Sequence, residues 1–368
     1  MKISGLVLIG MIISSAVWAR NDFIPHGFGM KAKGMGGASI AYQEETHGAS
    51  WNPAGLAFIK DRFDFANAGI DWFKPTPENN QIKLDDNASK KQHLIMPELG
   101  INMTLRDELN FGLLVYGNAG MNTSRNTKPD GIDLSQLFFA PTLTKRFGKH
   151  ALGISLNMAY QRFFANNPAV TKQEYDYSMG LGGSIGWQGQ FNNQMTLGAF
   201  YRLRTKMDEF EAYKDLLAEN GEIDVPSAIG IGIAYHTTSK TVIAFDVLKV
   251  KYAEVKAFTK PLLHQDTSCD SNNRLMTGRT CWNNQTIYKL GISYKYNNRL
   301  SLRTGLNYNQ LTPEKQVTLG GTWHFNKRSE MSVFYMPVFD NLLGRDNSGG
   351  GEQSMYHNSF GVSYGWHF

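Results

Sequence analysis

The chain has 368 residues, 42% of them hydrophobic, and 37 Lys and Arg against 32 Asp and Glu give a formal charge of +5. That length fits two soluble domains or one large closed barrel, while a mean hydropathy of -0.35 excludes a bundle of membrane-spanning helices. The charge is small for the size and gathers in no block, so nucleic-acid binding has no support.

At the N-terminus, Lys2, the apolar run Leu6 to Ile13 and the small-residue end Ala16-Val17-Trp18-Ala19 have the order of an export signal cleaved after Ala19. The run is too short for an anchor helix, which needs roughly 18–20 apolar residues. No later stretch could cross a bilayer as a helix, so the exported chain is expected in the periplasm, outside the cell, or in a membrane as a barrel.

Residues 20–58 do not alternate. They read as a compact segment rich in glycine: Gly27-Phe28-Gly29, Gly34-Met35-Gly36-Gly37-Ala38, then Ala49-Ser50-Trp51-Asn52-Pro53-Ala54-Gly55-Leu56-Ala57. Glycine lets backbones pack closely and adopt positive φ, which suits a chain folded inside a narrow space. Pro53 removes an amide donor and biases Asn52 toward extended geometry, so Asn52, Pro53 and Ala54 predict a fixed turn before the first strand. No phosphate-binding loop pattern is present, and Gly27-Phe28-Gly29 follows no strand.

From about Arg62 the sequence alternates with period two. Phe360, Val362, Tyr364, Trp366 and Phe368 share one face, with Ser359, Gly361, Ser363, Gly365 and His367 on the other. The same pattern recurs at Leu152 to Tyr160 and at Tyr288 to Tyr296. A soluble sandwich would carry charged and larger polar groups opposite its apolar face; Gly, Ser, Asn and Thr there suit a crowded lumen. Trp366, Phe368, Tyr296, Trp323 and Phe325 are expected at the membrane interface. Short connections at 106–108, 147–149, 191–193, 238–239, 297–299 and 326–328 alternate with long polar ones, with one short exception near Gln310 to Pro313. The count predicts an all-β transmembrane antiparallel barrel of about fourteen strands, with the short turns and the C-terminus in the periplasm.

Within the long connection 206–223, Met207, Phe210, Tyr213, Leu216 and Leu217 recur at helical spacing, which predicts a short amphipathic helix outside the membrane. It reads either as a self-packed loop or as an apolar surface that captures substrate. Cys269 and Cys281, close together in a polar stretch, read as one local disulfide or as two unpaired thiols. Arg202, Arg204, Lys289, Lys295 and Arg303 fall at expected lumen positions, where a cation could meet an acidic headgroup or pair with lumen acids. The nine histidines are scattered with no metal-ligand spacing. No partner set for a Ser and His site is visible in the sequence, so neither a metal site nor an enzyme is expected.

The Gly-rich segment ending in Asn52-Pro53-Ala54, placed between an export signal and a barrel, resembles the FadL/TodX family of outer-membrane transporters for long-chain fatty acids and aromatic hydrocarbons. Pro226-Ser227-Ala228-Ile229-Gly230, Asp246, Arg303-Thr304-Gly305, Tyr308 and the terminal Phe368 extend the resemblance over the mature chain. It implies a signal peptide over 1–19, a hatch over 20–58 and a barrel over 59–368, with both termini periplasmic. It further implies an exit through a kinked third strand near Asn110 to Gly120, where Gly112, Gly117 and Gly120 could permit a bulge. The expected activity is passive, ligand-gated uptake of a hydrophobic small molecule, fatty acids first, by a monomer in outer-membrane lipid without a cofactor. A general porin and a surface adhesin or receptor, its loop Lys256 to Gln285 facing outward, are the rivals. Neither requires a hatch.

Overall fold

The computed structural model describes residues 25–74, 96–122, 132–166, 173–259, 283–309, 315–337 and 356–368. The expected signal segment 1–19, both cysteines and most of the loop around them lie outside the described residues.

Fourteen long strands form one closed antiparallel barrel: Arg62–Lys74 (β1), Pro97–Arg106 (β2), Leu109–Asn122 (β3), Ile132–Phe147 (β4), His150–Ala165 (β5), Asp176–Gln190 (β6), Met195–Arg202 (β7), Ala228–His236 (β8), Thr241–Val250 (β9), Gln285–Lys295 (β10), Leu300–Asn309 (β11), Lys315–His324 (β12), Ser329–Met336 (β13) and Tyr356–His367 (β14). Each strand pairs with its neighbours in sequence, and β1 closes against β14 from Arg62–His367 onward. Every one of the fourteen strands therefore has a partner on both sides, as a sheet in hydrocarbon requires.

Alternation decides which solvent each face meets. On β5, Leu152, Ile154 and Leu156 are exposed on the outer surface, Ile154 by 57%, while the alternating residues Ala151, Gly153, Ser155 and Asn157 are buried. An apolar outer face of this extent is compatible with lipid and not with water. Inside, small polar groups satisfy one another across strands: the Thr142 and Ser155 hydroxyls lie 2.7 Å apart, and Asn157 Nδ2 donates to Ser184 Oγ at 2.8 Å. The expected girdle residues Tyr296, Trp323, Phe325, Trp366 and Phe368 are all exposed at the short-turn end. The turns there follow the sequence reading, and Glu108 (φ 58) and Gly148 (φ 61) supply the left-handed residues that two-residue hairpins need.

Two expectations are corrected between β7 and β8. The stretch 207–220 is no amphipathic helix; it contains two separate 3-10 turns, Glu211–Tyr213 and Glu219–Gly221, after a two-residue ladder Lys206–Met207 beside β6. Nor is it an exposed capture surface, because Met207, Phe210, Tyr213, Leu216 and Leu217 are all buried. Three-residue spacing serves a 3-10 turn as well as an α-helix. The Phe210 amide donates to the Gly221 carbonyl at 3.1 Å, which folds the segment back on itself and turns its apolar groups inward.

Residues 25–58 lie inside the barrel as a one-turn helix (Met30–Lys33) and two 3-10 segments (Thr46–Ser50, Pro53–Phe58), almost wholly buried. The wall accommodates them where its inward residues are glycine. A Cβ on Gly153 would overlap Pro53 and Ala54, one on Gly186 would overlap Asn52 and Pro53, and one on Gly305 would overlap the Met35–Gly36 backbone. Gly36 itself sits at φ 66 against the Leu306 backbone, a place and a conformation that a side chain would disturb.

Candidate functional site

The inner segment is fastened to the wall at points spread around the barrel. On β9, Asp246 Oδ2 accepts from the backbone amides of Ser39 (2.7 Å) and Ile40 (2.9 Å). Glu98 on β2 accepts from Gly29 N (2.6 Å) and Lys33 Nζ (2.8 Å), and Asp64 on β1 accepts from Thr46 N (2.9 Å). Lys31 pairs with Glu330 on β13, which also holds Arg62 at 2.6 Å. Carboxylates aimed at backbone amides form charge-assisted bonds, stronger than neutral ones. Within the segment, burial opposes ionisation of Glu44, but Arg303 on β11, bonded to it at 2.8 Å, holds its carboxyl below the usual range. Burial pushes Glu45 the other way, above that range.

The expected turn at Asn52, Pro53 and Ala54 is present and has specific partners. Asn52 Oδ1 accepts from Ala54 N at 3.1 Å, capping the 3-10 turn that Pro53 opens. Its Nδ2 donates to the carbonyls of Ile40 (2.7 Å) and Trp187 (3.0 Å), and the Pro53 carbonyl accepts from Thr144 Oγ1 at 2.8 Å. The triplet therefore joins the inner segment to itself and to β4 and β6. The glycines of the inner segment have distinct places: Gly29, Gly36 and Gly37 adopt positive φ, Gly34 packs against Gly320, and Gly27 packs against Gly37.

A continuous buried apolar cluster runs from this segment to the long-loop end. The Phe28 ring lies tilted against Trp51 at 5.3 Å and edge-on to Tyr116 at 4.7 Å, and Trp51 meets Phe200 at 5.5 Å. Farther out, Phe163 meets Phe210 (5.3 Å) and Tyr213 (4.8 Å). The five loop residues expected to form a surface thus line the outer part of an interior apolar column.

The five candidate cations separate into different environments. Arg202, at the end of β7, is 1% exposed; its Nη1 donates to Asn118 Oδ1 at 3.0 Å and its guanidinium lies 5.0 Å from the Trp51 ring centroid. Its Nε and Nη2 have no partner among the described residues. Lys289 on β10 is also buried, with Nζ 5.1 Å from the same ring, and sits opposite Asp246 in the β9–β10 register. Arg303 is committed to Glu44 and Thr322, and Arg204 to Asp224 and Glu219 in the loop beyond β7. Lys295 corrects the lumen expectation: alternation points it inward, but it stands at the end of β10 and is exposed at the short-turn rim.

Asn118 was not singled out by sequence reasoning. It is the extra residue of a bulge where the β3–β4 register shifts between Gly117 and Ala119, and its Nδ2 donates to Gln136 at 2.9 Å. Among the described residues, β3 pairs with β2 only up to Val115–Leu99, and the next β2 residue on that face of the ladder, Pro97, has no amide to donate. The wall acids Asp64, Glu98 and Glu330 were also missed, though each occupies an inward position of an alternating strand.

The profile of the family described as outer membrane protein transport protein (OMPP1/FadL/TodX) matches residues 139–336, more than half of the chain. Comparison with curated proteins returns no match. Among solved structures, the P. putida toluene transporter TodX is 16% identical with a TM-score of 0.63 over 93% of this chain and 99% of that one. The Ralstonia pickettii toluene transporter TbuX is 14% identical with a TM-score of 0.63 over 93% and 99%. A Pseudomonas aeruginosa FadL homologue is 14% identical with a TM-score of 0.65 over 94% and 99%. At these identities the structural likenesses establish the fold, a fourteen-stranded barrel. With the profile match they lead to one conclusion: the chain belongs to the OMPP1/FadL/TodX family of outer-membrane transport proteins.

Proposed function

We propose that the protein takes up amphiphilic acids, long-chain fatty acids first among them, by passive diffusion as a monomer, with residues 20–58 acting as a hatch and 59–368 as the barrel. The short turns and both termini face the periplasm. The substrate enters from the outer loops, follows the apolar column, and rests with its carboxylate against Arg202. No cofactor takes part, since diffusion down a gradient drives the step. The exit runs sideways past the bulge at Asn118, beyond the last described β2–β3 pair, Leu99–Val115.

One observation carries the choice of an acid over a neutral hydrocarbon. Arg202 is a fully buried cation whose one described bond is to a neutral amide, and two of its guanidinium nitrogens have no described partner. A cation in that state is costly until an anion joins it. Toluene would offer only a ring face, with neither charge nor a hydrogen-bond acceptor, whereas a carboxylate would supply both together.

Binding of a long-chain acid, the alcohol of equal length, and toluene to the purified protein tests this reading. The acid is expected to bind best, and Arg202→Gln to weaken the acid by about 10- to 100-fold, the worth of a charged hydrogen bond, while leaving the alcohol unchanged. Equal binding of acid and alcohol, insensitive to Arg202→Gln, would assign the column to neutral substrates.

A further inference from the structure

Part of the short-turn end carries an arc of cations with no acid among them, which uptake does not use. Three successive hairpins on one side of the barrel, β8–β9, β10–β11 and β12–β13, present Lys240, Lys295, Arg299, Lys327 and Arg328, all exposed. Neighbouring turns are tied by backbone bonds, Lys295 N donating to the Lys240 carbonyl at 2.8 Å and His324 N to the Arg299 carbonyl at 2.8 Å, so the cations lie along one continuous rim. No exposed acidic side chain falls between Tyr235 and Arg328 in these turns; Glu330, the nearest acid in sequence, is buried inside the barrel. No ion pair among the described residues engages any of the five.

A second feature says what such an arc meets. Directly below it, on the outward face of the same strands, Tyr235, Tyr294, Tyr296, Trp323 and Phe325 are exposed by 40–58%. Aromatic rings settle at the level of lipid headgroups, and Lys and Arg just beyond them extend their ends into the phosphate layer. Cations near an anionic leaflet are attracted additively, and the attraction weakens as salt screens it. An acidic soluble protein would find the same charges but would have no use for a belt of rings directed at lipid.

We propose that this arc is a docking surface for the headgroups of anionic phospholipids in the leaflet that the short turns face. The five cations hold the phosphates while the aromatic belt packs on the upper acyl chains, fixing depth and tilt of the barrel on that side. In the opposite sector the cations Lys60, Arg106, Lys145, Arg146 and Lys149 stand among the acids Asp61, Asp107 and Glu108, which offset part of their charge.

The test uses the full-length protein folded in neutral detergent and mixed with micelles containing phosphatidylglycerol or phosphatidylcholine, with retained lipid measured after gel filtration. The wild type is expected to retain phosphatidylglycerol about tenfold better than phosphatidylcholine. The preference should fall with added salt and disappear in the variant Lys240→Gln, Lys295→Gln, Arg299→Gln, Lys327→Gln, Arg328→Gln. All five positions are exposed at turns, and heat-modifiable gel migration checks that the variant folds. The control variant Lys214→Gln, Lys256→Gln, at the long-loop end, should keep the preference. Equal retention of both lipids by the wild type overturns the proposal. So does retention that survives in the fivefold variant, equal loss in the control, or capture by anionic peptidoglycan without any lipid preference.

Discussion

Asp246 offers the sharpest perturbation of the hatch, because one carboxylate oxygen accepts two backbone amides from it, Ser39 N at 2.7 Å and Ile40 N at 2.9 Å. Asp246→Ala would leave both amides buried without an acceptor, and each such loss costs about 1–3 kcal/mol, so the docked hatch loses about 2–6 kcal/mol. At 1.4 kcal/mol per factor of ten, the population with this part of the hatch detached rises by about 30-fold to on the order of 10⁴-fold. Asp246→Asn keeps an oxygen acceptor and loses only the charge, so its effect should be several times smaller on the free-energy scale. Hydrogen exchange of the 38–41 amides in the folded barrel reads the effect directly, and leak current across a planar bilayer reads its consequence. Unchanged exchange at Ser39 and Ile40 in Asp246→Ala would refute the reasoning. It would mean that the remaining anchors at Glu98, Asp64 and Arg303 determine the docking alone.

Three further outcomes follow from the same geometry. Arg202→Met should raise the thermal midpoint while lowering acid binding, since it removes a buried cation without a described counter-charge; a lowered midpoint would show that Arg202 is already compensated. Because Arg303 depresses the Glu44 carboxyl, the pair contributes stability above the ordinary carboxylate value of 4.5 and loses it as pH falls below that value toward the depressed one. Leak current should therefore rise in acid, and Glu44→Gln should raise it at neutral pH and blunt the acid response; a flat profile in both proteins would contradict this. Gly36→Ala should destabilise far more than Gly148→Ala, for both glycines have positive φ but only the Gly36 Cβ would strike backbone, that of Leu306. Equal midpoints would refute the close packing of hatch and wall.

The barrel was legible because lipid and lumen impose opposite polarity on successive residues, as at Leu152, Gly153 and Ile154. Loop lengths added the count and the alternation of short and long ends. The stretch 207–220 was misread because spacing at 207, 210 and 213 reports a common face without saying whether that face looks outward or inward. Lys295 was misplaced for a related reason: parity names a side of the sheet, and height along the barrel decides whether that side is lumen or open rim. Among the five cations, sequence could not separate Arg202 from Arg303, since the difference lies in Glu44, remote in sequence and brought close only by the folded hatch. Asn118 carried a faint signal, flanked by Gly117 and Ala119 in a strand of larger residues, but its bond to Arg202 joins β3 to β7 across the bore.

Ion conductance of the refolded protein in a planar lipid bilayer tests the central claim most directly, that residues 20–58 close a barrel built for hydrophobic cargo. The account predicts little or no current from the intact protein and large, steady openings once those residues are removed. Large, steady current from the intact protein would contradict it and make the barrel a general porin.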